Sequence, residues 1–138
     1  MAIIEDLKEY RSMREEYKAL VPEIRLMEEE AMQKYLDKEK EAYSGERETE
    51  AAILELYRSR AQRIKDRIHA VEVFVDNVQS SEEREIMRLR FIEGKTYQQI
   101  AFKRGEAGDG STQMKKLFRY LKKWGQKEGR VELRPRFV

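Results

Sequence analysis

The feature that most constrains this chain of 138 residues is an apolar seam that runs without interruption from residue 54 to residue 78. Its members alternate steps of three and four residues, which places their side chains on one face of an α-helix. A seam of this length predicts a long helix that packs against another helix in coiled-coil fashion. Its members are Leu54, Tyr57, Ala61, Ile64, Ile68, Val71, Val75 and Val78.

The partner helix of this seam is expected from one of two sources. Residues 3–35 follow a similar helical period, with Arg14 and Glu28 as polar interruptions, so this segment could fold back onto the seam. Pro22 is expected to kink that segment or to start a new helix, because proline lacks a backbone donor. Ser44–Gly45 then predicts a stop and a reversal of the chain.

The second source is the same segment of another copy of the chain. A single helical hairpin buries little apolar surface, so we expect a homodimer or a higher homo-oligomer. The residues expected to form that oligomerisation contact are Leu54, Tyr57, Ala61, Ile64, Ile68, Val71 and Val75.

Charge is distributed unevenly along the chain. Residues 1–80 hold 14 basic and 19 acidic side chains, a net charge of −5. Residues 81–138 hold 15 basic and 8 acidic side chains, a net charge of +7. An acidic body joined to a basic end is typical of a scaffold that carries a nucleic-acid-binding module, although a solvated basic tail has the same composition.

A compact series of helix signals begins after Gln79. Ser80–Glu83 has the pattern of a capping box, and Gly94 is expected to end the helix that this box opens. Thr96–Gln99 is a second capping box, and it predicts a short helix that continues through Ile100–Phe102.

The last predicted helix, residues 111–124, follows a turn rich in glycine, and Ser111 or Thr112 is expected to cap it. One face of this helix is apolar and must be buried, while the opposite face is cationic with no interleaved carboxylate. Trp124 is expected to pack beneath the helix rather than to stack on a base. A helix of this kind predicts a polyanion against its outer face. The apolar positions are Met114, Leu117, Phe118, Leu121 and Trp124.

An ordered motif runs from Ser81 to Ala101. It comprises Arg84–Glu85, Leu89–Arg90–Phe91, Gly94, Thr96 and Ile100–Ala101. This motif resembles the opening of the region 4 domain of bacterial sigma factors. The resemblance extends over residues 80–124 and implies a helix-turn-helix domain that binds DNA.

The layout of the whole chain is similar to that of small phage and prophage proteins of the RinA/ArpU kind, which act as late-gene transcription regulators. One departure from the sigma-like pattern lies in the turn, where this chain has about four additional residues between Gly105 and Ser111. The longer turn is expected to change how the second helix enters the groove.

In a helix-turn-helix, the first helix crosses the phosphate backbone and the second lies in the major groove. The side chains best placed on the second helix to read bases are expected to be Thr112, Gln113, Lys116 and Arg119. The groups expected to hold phosphates are Lys115, Lys122 and Lys123, together with the amides and hydroxyls of Thr96 and Tyr97.

The sequence lacks the residues that several classes of function require. The chain has no cysteine, and its one histidine, His69, has no neighbouring ligand, so we expect no metal site and no cofactor. We find no nucleophile–base pair and no nucleotide fingerprint, so an enzyme is not expected. With no membrane-length apolar run and no signal-peptide layout, the expected location is the cytoplasm of a bacterial host cell, on the nucleoid.

These observations predict an all-α protein in three parts. Residues 1–79 form a helical hairpin or coiled-coil scaffold that oligomerises, residues 80–125 form the helix-turn-helix domain, and residues 126–138 form a basic tail. The leading hypothesis is a sequence-specific regulator of transcription that binds double-stranded DNA and is encoded by a phage or prophage. Contact with RNA polymerase is left open.

Two other hypotheses fit the same layout. The small, DNA-recognising subunit of a phage terminase also joins a helix-turn-helix to oligomerising helices, but it assembles into rings. A structural adaptor would use the seam to bind a partner protein, with DNA contact incidental. A dimer would favour the regulator over the packaging subunit.

Overall fold

The protein is built from helices throughout the part of the chain that the structure describes. A computed structural model describes residues 3–36 and 44–132, with side chains over residues 3–34 and 48–125. These residues contain no β-strand, which confirms the predicted all-α fold. None of their helices has both the length and the apolarity to cross a membrane. The helices are α1 (Ile3–Leu36), α2 (Ser44–Asp76), α3 (Ser81–Met87), α4 (Tyr97–Lys103) and α5 (Ser111–Glu132).

The chain forms two compact units. The hairpin unit comprises Glu9–Ala70, and the C-terminal unit comprises Met1–Lys8 together with Val71–Val138. The predicted boundary lay between residues 79 and 80. The structure instead divides the chain inside α2 and groups the first eight residues with the C-terminal unit.

In the hairpin unit, α1 and α2 run antiparallel, since early residues of α1 pair with late residues of α2. The ion pairs that join the two helices are Glu9–Arg67, Glu16–Arg60, Glu28–Arg58 and Lys34–Glu50. Most of these side chains are substantially exposed, and an exposed pair contributes at most about 1 kcal/mol. The ion pairs therefore show that the two helices are antiparallel, while the burial of apolar side chains provides most of the stability of the hairpin.

The predicted seam of α2 is buried inside a single chain. Leu54, Ala61 and Ile64 are buried in the hairpin unit, and Val71 and Val75 are buried in the C-terminal unit. Of the two sources weighed for the partner helix, α1 folded back is the one that the structure shows. Burial within one chain means that a second chain cannot cover the same side chains unless the packing opens.

The assignment of the seam to oligomerisation is therefore corrected for Leu54, Ala61, Ile64, Val71 and Val75. The other two predicted contact residues, Tyr57 and Ile68, keep part of their surface exposed. They alone are too small a surface to define a subunit contact, and homo-oligomerisation stays a prediction.

The buried stripe of α1 departs from the predicted positions after Tyr10. Met13 is 4% exposed and Leu20 is 6% exposed, whereas the predicted seam residues Arg14 and Val21 are exposed and half-buried. At these two positions the buried stripe therefore lies one residue earlier than the predicted seam. This shift removes the polar interruption that the sequence pattern placed at Arg14.

The two predicted breaks in the hairpin have different outcomes. Pro22 lies inside α1, which continues on both sides of it, so the predicted start of a new helix is wrong, while the predicted kink stays a prediction. Ser44 and Gly45 are the first two residues of α2 rather than the reversal. Residues 37–43, which follow α1 and precede α2, lie outside the described part of the chain.

The core of the C-terminal unit lies between short helices. α3 continues directly into a π-helical turn, Arg88–Ile92, and α5 contacts both α3 and α4. The side chains buried there include Ile86, Met87, Leu89, Ile100, Ala101, Leu117 and Leu121. The long helix α5 is thus held on one face by two helices that are each only two turns long.

α5 begins at the predicted residue, but its cap and its C-terminal end differ from the prediction. The helix begins at Ser111, so neither Ser111 nor Thr112 is the residue that precedes and caps it. The Asp109 carboxylate instead accepts a hydrogen bond from the Ser111 amide at 3.0 Å. At its other end, α5 passes through Gly125 to Glu132. The segment predicted as a basic tail, 126–138, therefore begins as helix, and its last six residues lie outside the described part.

The shifted register of α1 can be tested with two identical substitutions on one helix. Leu20→Ala removes a buried side chain, and we expect it to lower the free energy of unfolding by about 2 to 5 kcal/mol. Leu26→Ala removes a side chain that is 55% exposed, and a change within about 0.5 kcal/mol is expected. Urea unfolding followed by circular dichroism measures both, and equal losses would contradict the register.

Candidate nucleic-acid interface

The two short helices of the C-terminal unit are capped as the sequence indicates. The Thr96 hydroxyl accepts a hydrogen bond from the Gln99 amide at 3.1 Å, and the Gln99 side chain accepts one from the Thr96 amide at 2.9 Å. This is the complete capping box predicted for α4. At α3, the Ser80 hydroxyl accepts a hydrogen bond from the Glu83 amide at 3.3 Å.

Arginines of the sigma-like motif close the connections between these helices. Arg84 donates to the carbonyl of Val78 at 2.7 Å, and Arg90 donates to the carbonyl of Lys95 at 3.1 Å. The Arg90 guanidinium also lies 4.4 Å from the centre of the Tyr97 ring. Both guanidinium groups are thus hydrogen-bonded to backbone carbonyls, one just after α2 and the other just before α4.

The turn between α4 and α5 brings the start of α5 against the start of α4. Gly110 has a φ of +92°, and a Cβ there would lie 2.2 Å from the carbonyl carbon and oxygen of Tyr97. Only glycine allows both the positive φ and this close approach of two backbones. Gly105 also has a positive φ, +70°, but no atom lies within 4 Å of its Cβ direction.

Arg104, the residue that follows α4, is the centre of an ionic network. Its guanidinium pairs with Glu82 at 3.2 Å, with Glu106 at 3.0 Å and with Glu85. Glu106 in turn accepts a hydrogen bond from the Gln113 side chain. Burial by itself lowers the pKa of Arg104, but its hydrogen bonds and the surrounding carboxylates raise it above its ordinary value. The network links α3, the turn and α5.

The outer face of α5 is cationic, as predicted. Lys115, Arg119, Lys122 and Lys123 are exposed, and among the residues with described side chains no carboxylate forms an ion pair with any of them. Each of Lys115 and Arg119 is two residues from the fully buried Leu117, which at about 100° per residue places it on the opposite face. The centre of the solvent-facing side of α5 therefore carries positive charge.

Lys116 is the exception among the predicted DNA-binding cations. Its ammonium lies 2.8 Å from the Glu82 carboxylate on α3. The hydrogen bond from Lys116 is the main cause that lowers the pKa of Glu82, with smaller contributions from the charges of Lys116 and Arg104. Lys116 is thus held by a carboxylate of its own unit.

The buried face of α5 is rotated relative to the prediction. Gln113, predicted to read a base, is 2% exposed and donates to Glu106, so it is withdrawn from the predicted interface. Phe118, predicted to be buried, is 56% exposed. A hydrophobicity pattern assigns glutamine outward and phenylalanine inward. The Glu106 carboxylate reverses the assignment of Gln113 because it satisfies the buried amide.

The other predicted DNA contacts lie at the starts of the two helices. Thr112 is exposed in the first turn of α5, and Thr96 is exposed before α4. Tyr97 is half-buried beside Arg90, and burial is the main cause that raises the pKa of its phenol. Thr112, Tyr97 and the Thr96 hydroxyl keep their predicted roles as predictions. The predicted phosphate contact of the Thr96 amide is corrected, because that amide donates its hydrogen bond to the Gln99 side chain.

The sequence pattern does not single out three residues of the ionic network: Glu82, Arg104 and Glu106. Glu82 and Glu85 are three residues apart and so share one face of α3, which is the signal that could have indicated a cation opposite them. No pattern in the sequence indicates which cation that is.

Residues outside this interface confirm one prediction and add no site. Trp124 packs edge-to-face on Phe74, with ring centres 5.0 Å apart, as expected for a side chain beneath the helix. His69 is exposed. Among the described residues, no group of three or more acidic, histidine or cysteine side chains could hold a metal ion.

Comparison of the chain with protein-family models, with curated proteins and with solved structures found no match.

The close approach at Gly110 predicts a difference between two glycines of the same turn. Gly110→Ala is expected to lower the free energy of unfolding by more than the ~1 to 3 kcal/mol that backbone strain alone costs, because the new methyl group also overlaps the Tyr97 carbonyl. Gly105→Ala should show the backbone strain alone. Thermal unfolding of both variants measures the difference, and equal destabilisation would contradict the packing at Gly110.

The Glu82–Lys116 pair predicts a pH dependence. Because the pKa of Glu82 in the folded protein is below its ordinary value, the pair stabilises the fold above the ordinary glutamate pKa of about 4.3, and this stabilisation is lost as the pH falls through the folded-state pKa. Carboxyl NMR titration should give a low midpoint for Glu82 that rises in Lys116→Gln. Lys122→Gln makes the same charge change on the same helix and should leave the midpoint unchanged.

Proposed function

We propose that this protein binds double-stranded DNA by placing α5 in the major groove. The observation that carries the proposal is the set of exposed cations on the outer face of α5, none of which forms an ion pair with a carboxylate among the described side chains: Lys115, Arg119, Lys122 and Lys123. Unpaired cations on one helix face repel each other, and a row of phosphates would relieve that repulsion.

The helical arrangement supports the same docking. α4 and α5 are joined by a turn of seven residues, and α5 is anchored on its inner face while its outer face is open to solvent. An α-helix fits the major groove of B-DNA, where its first turns reach the base edges. The solvent-facing side chains at the start of α5 include Thr112, Lys115 and Arg119.

Within this proposal the predicted contacts form two groups, contacts to bases and contacts to phosphates. Thr112 and Arg119 are the candidates for base contacts, since Gln113 is buried and Lys116 is held by Glu82. Lys115, Lys122 and Lys123 are the candidates for phosphate contacts, which provide affinity without sequence information. The biological role we propose is regulation of transcription, and it rests on the resemblance of residues 80–124 to sigma-factor region 4 and of the whole layout to phage regulators.

Fluorescence anisotropy on a labelled duplex tests DNA binding directly. The affinity should fall steeply as salt rises, since each phosphate contact contributes about −0.9 to the slope of log K against log salt. The double variant Lys115→Ala/Arg119→Ala should weaken binding about tenfold or more and flatten the slope by about 0.9, the value of the one phosphate contact that Lys115 provides.

The matched control removes two cations from the hairpin unit. Arg63→Ala/Lys65→Ala makes the same change in net charge on exposed positions of α2. It should leave both the affinity and the salt slope close to those of the wild type. Absent binding, or an equal loss in both double variants, would rule out α5 as the DNA-binding helix.

A further inference from the structure

The contact between Glu82 and Lys116 has a consequence for DNA binding. Lys116, Arg119 and Lys123 are spaced by three and four residues, so they form one stripe along α5. Arg119 and Lys123 are exposed, while the ammonium of Lys116 lies 2.8 Å from Glu82. A phosphate that follows this stripe would therefore meet a cation whose charge is already compensated.

Glu82 is held in place on both of its carboxylate oxygens. One oxygen contacts Lys116, and the other lies 3.2 Å from Arg104. Arg104 is further fixed by Glu85 and Glu106, and its side chain is only 15% exposed. Glu82 is thus positioned by a rigid partner, and the lowered pKa of its carboxyl group keeps it ionised at neutral pH.

A carboxylate and a phosphate present the same kind of ligand to an ammonium group, an anionic oxygen at hydrogen-bonding distance. Because the ammonium group of Lys116 carries a single positive charge, the Glu82 carboxylate and a phosphate compete for it. In addition, an ionised Glu82 at the edge of the cationic face repels a phosphate that approaches Lys116. Both effects reduce the number of phosphates that α5 can neutralise.

We propose that Glu82 limits the affinity of α5 for DNA by occupying Lys116. This inference rests on the proposed function, because it concerns the same face of α5. Phosphate contacts provide affinity that does not depend on sequence. The loss of one such contact therefore weakens binding to DNA of any sequence and leaves the candidates for base contacts, Thr112 and Arg119, in place.

A double-mutant cycle tests the inference on the full-length chain with a mixed-sequence duplex, between about 50 and about 200 mM salt. Glu82→Gln should raise affinity about three- to tenfold and steepen the salt slope by about 0.9, the value of one added phosphate contact. Lys116→Ala alone should leave the slope unchanged, since this cation is already compensated. In the Glu82→Gln background, Lys116→Ala should abolish the gain.

Glu85→Gln is the matched control. Glu85 lies one turn from Glu82 on α3 and also pairs with Arg104, but the ion pair to Lys116 comes from Glu82. If a general reduction of negative charge were responsible, Glu85→Gln would raise affinity as much as Glu82→Gln does. We expect it to leave the slope unchanged and to show no dependence on Lys116.

The outcomes separate this inference from the proposed function. A wild-type protein that does not bind the duplex contradicts the proposed function itself. A wild-type protein that binds, with an unchanged slope in Glu82→Gln, overturns the inference alone. Lys116→Ala tests the same claim without altering Glu82, so a slope reduced by about 0.9 in that single variant overturns the inference even if Glu82→Gln fails to fold.

Discussion

The Arg104 guanidinium, enclosed by the carboxylates of Glu82, Glu85 and Glu106, is the interaction on which the arrangement of the C-terminal unit depends. α3 and α4 each offer only about two turns of surface to α5. Arg104 connects α3 to the turn, and Glu106 extends that connection to Gln113 inside the core. A largely buried cation with three carboxylate partners has few alternative arrangements that satisfy it, so the network specifies one geometry of α3, turn and α5.

The same unit separates cations that stabilise the fold from cations that face outward. Arg84, Arg90 and Arg104 each donate to a backbone carbonyl or a carboxylate. The lysines of α5 differ, since only Lys116 has a carboxylate partner among the described side chains, while Lys115 and Lys122 are exposed. Arginine suits the first task because its planar fork satisfies several acceptors at once, and lysine suits the second because it presents a compact charge on a flexible stem. Glu82 pairs both with Arg104, which belongs to the first set, and with Lys116 of α5. In our proposal, the second pair decides whether Lys116 is available to a phosphate.

Much of the fold could be predicted because the deciding signals are local. The Thr96–Gln99 capping box, the positive φ of Gly94 and the burial of Ile100 and Ala101 depend on residues within a few positions of one another. The register of α1 could not be predicted, because Met13 and Arg14 are equally compatible with a helix and only packing against α2 selects the former. Gln113 was placed outward for a similar reason, since its partner Glu106 lies in an irregular turn that carries no periodicity.

The sequence by itself determined that this protein is all-α, where most of its helices begin, and that one face of α5 is cationic. Those properties follow from spacing and capping, which act within a single turn of helix. Tertiary structure alone decided that most of the seam of α2 is buried within its own chain, that Gln113 is buried, and that Lys116 is paired with a carboxylate while Arg119 is exposed. These outcomes depend on which groups meet across distant segments, such as Glu82 and Lys116, 34 positions apart. Contacts between residues so far apart in the chain leave no periodic pattern in the sequence.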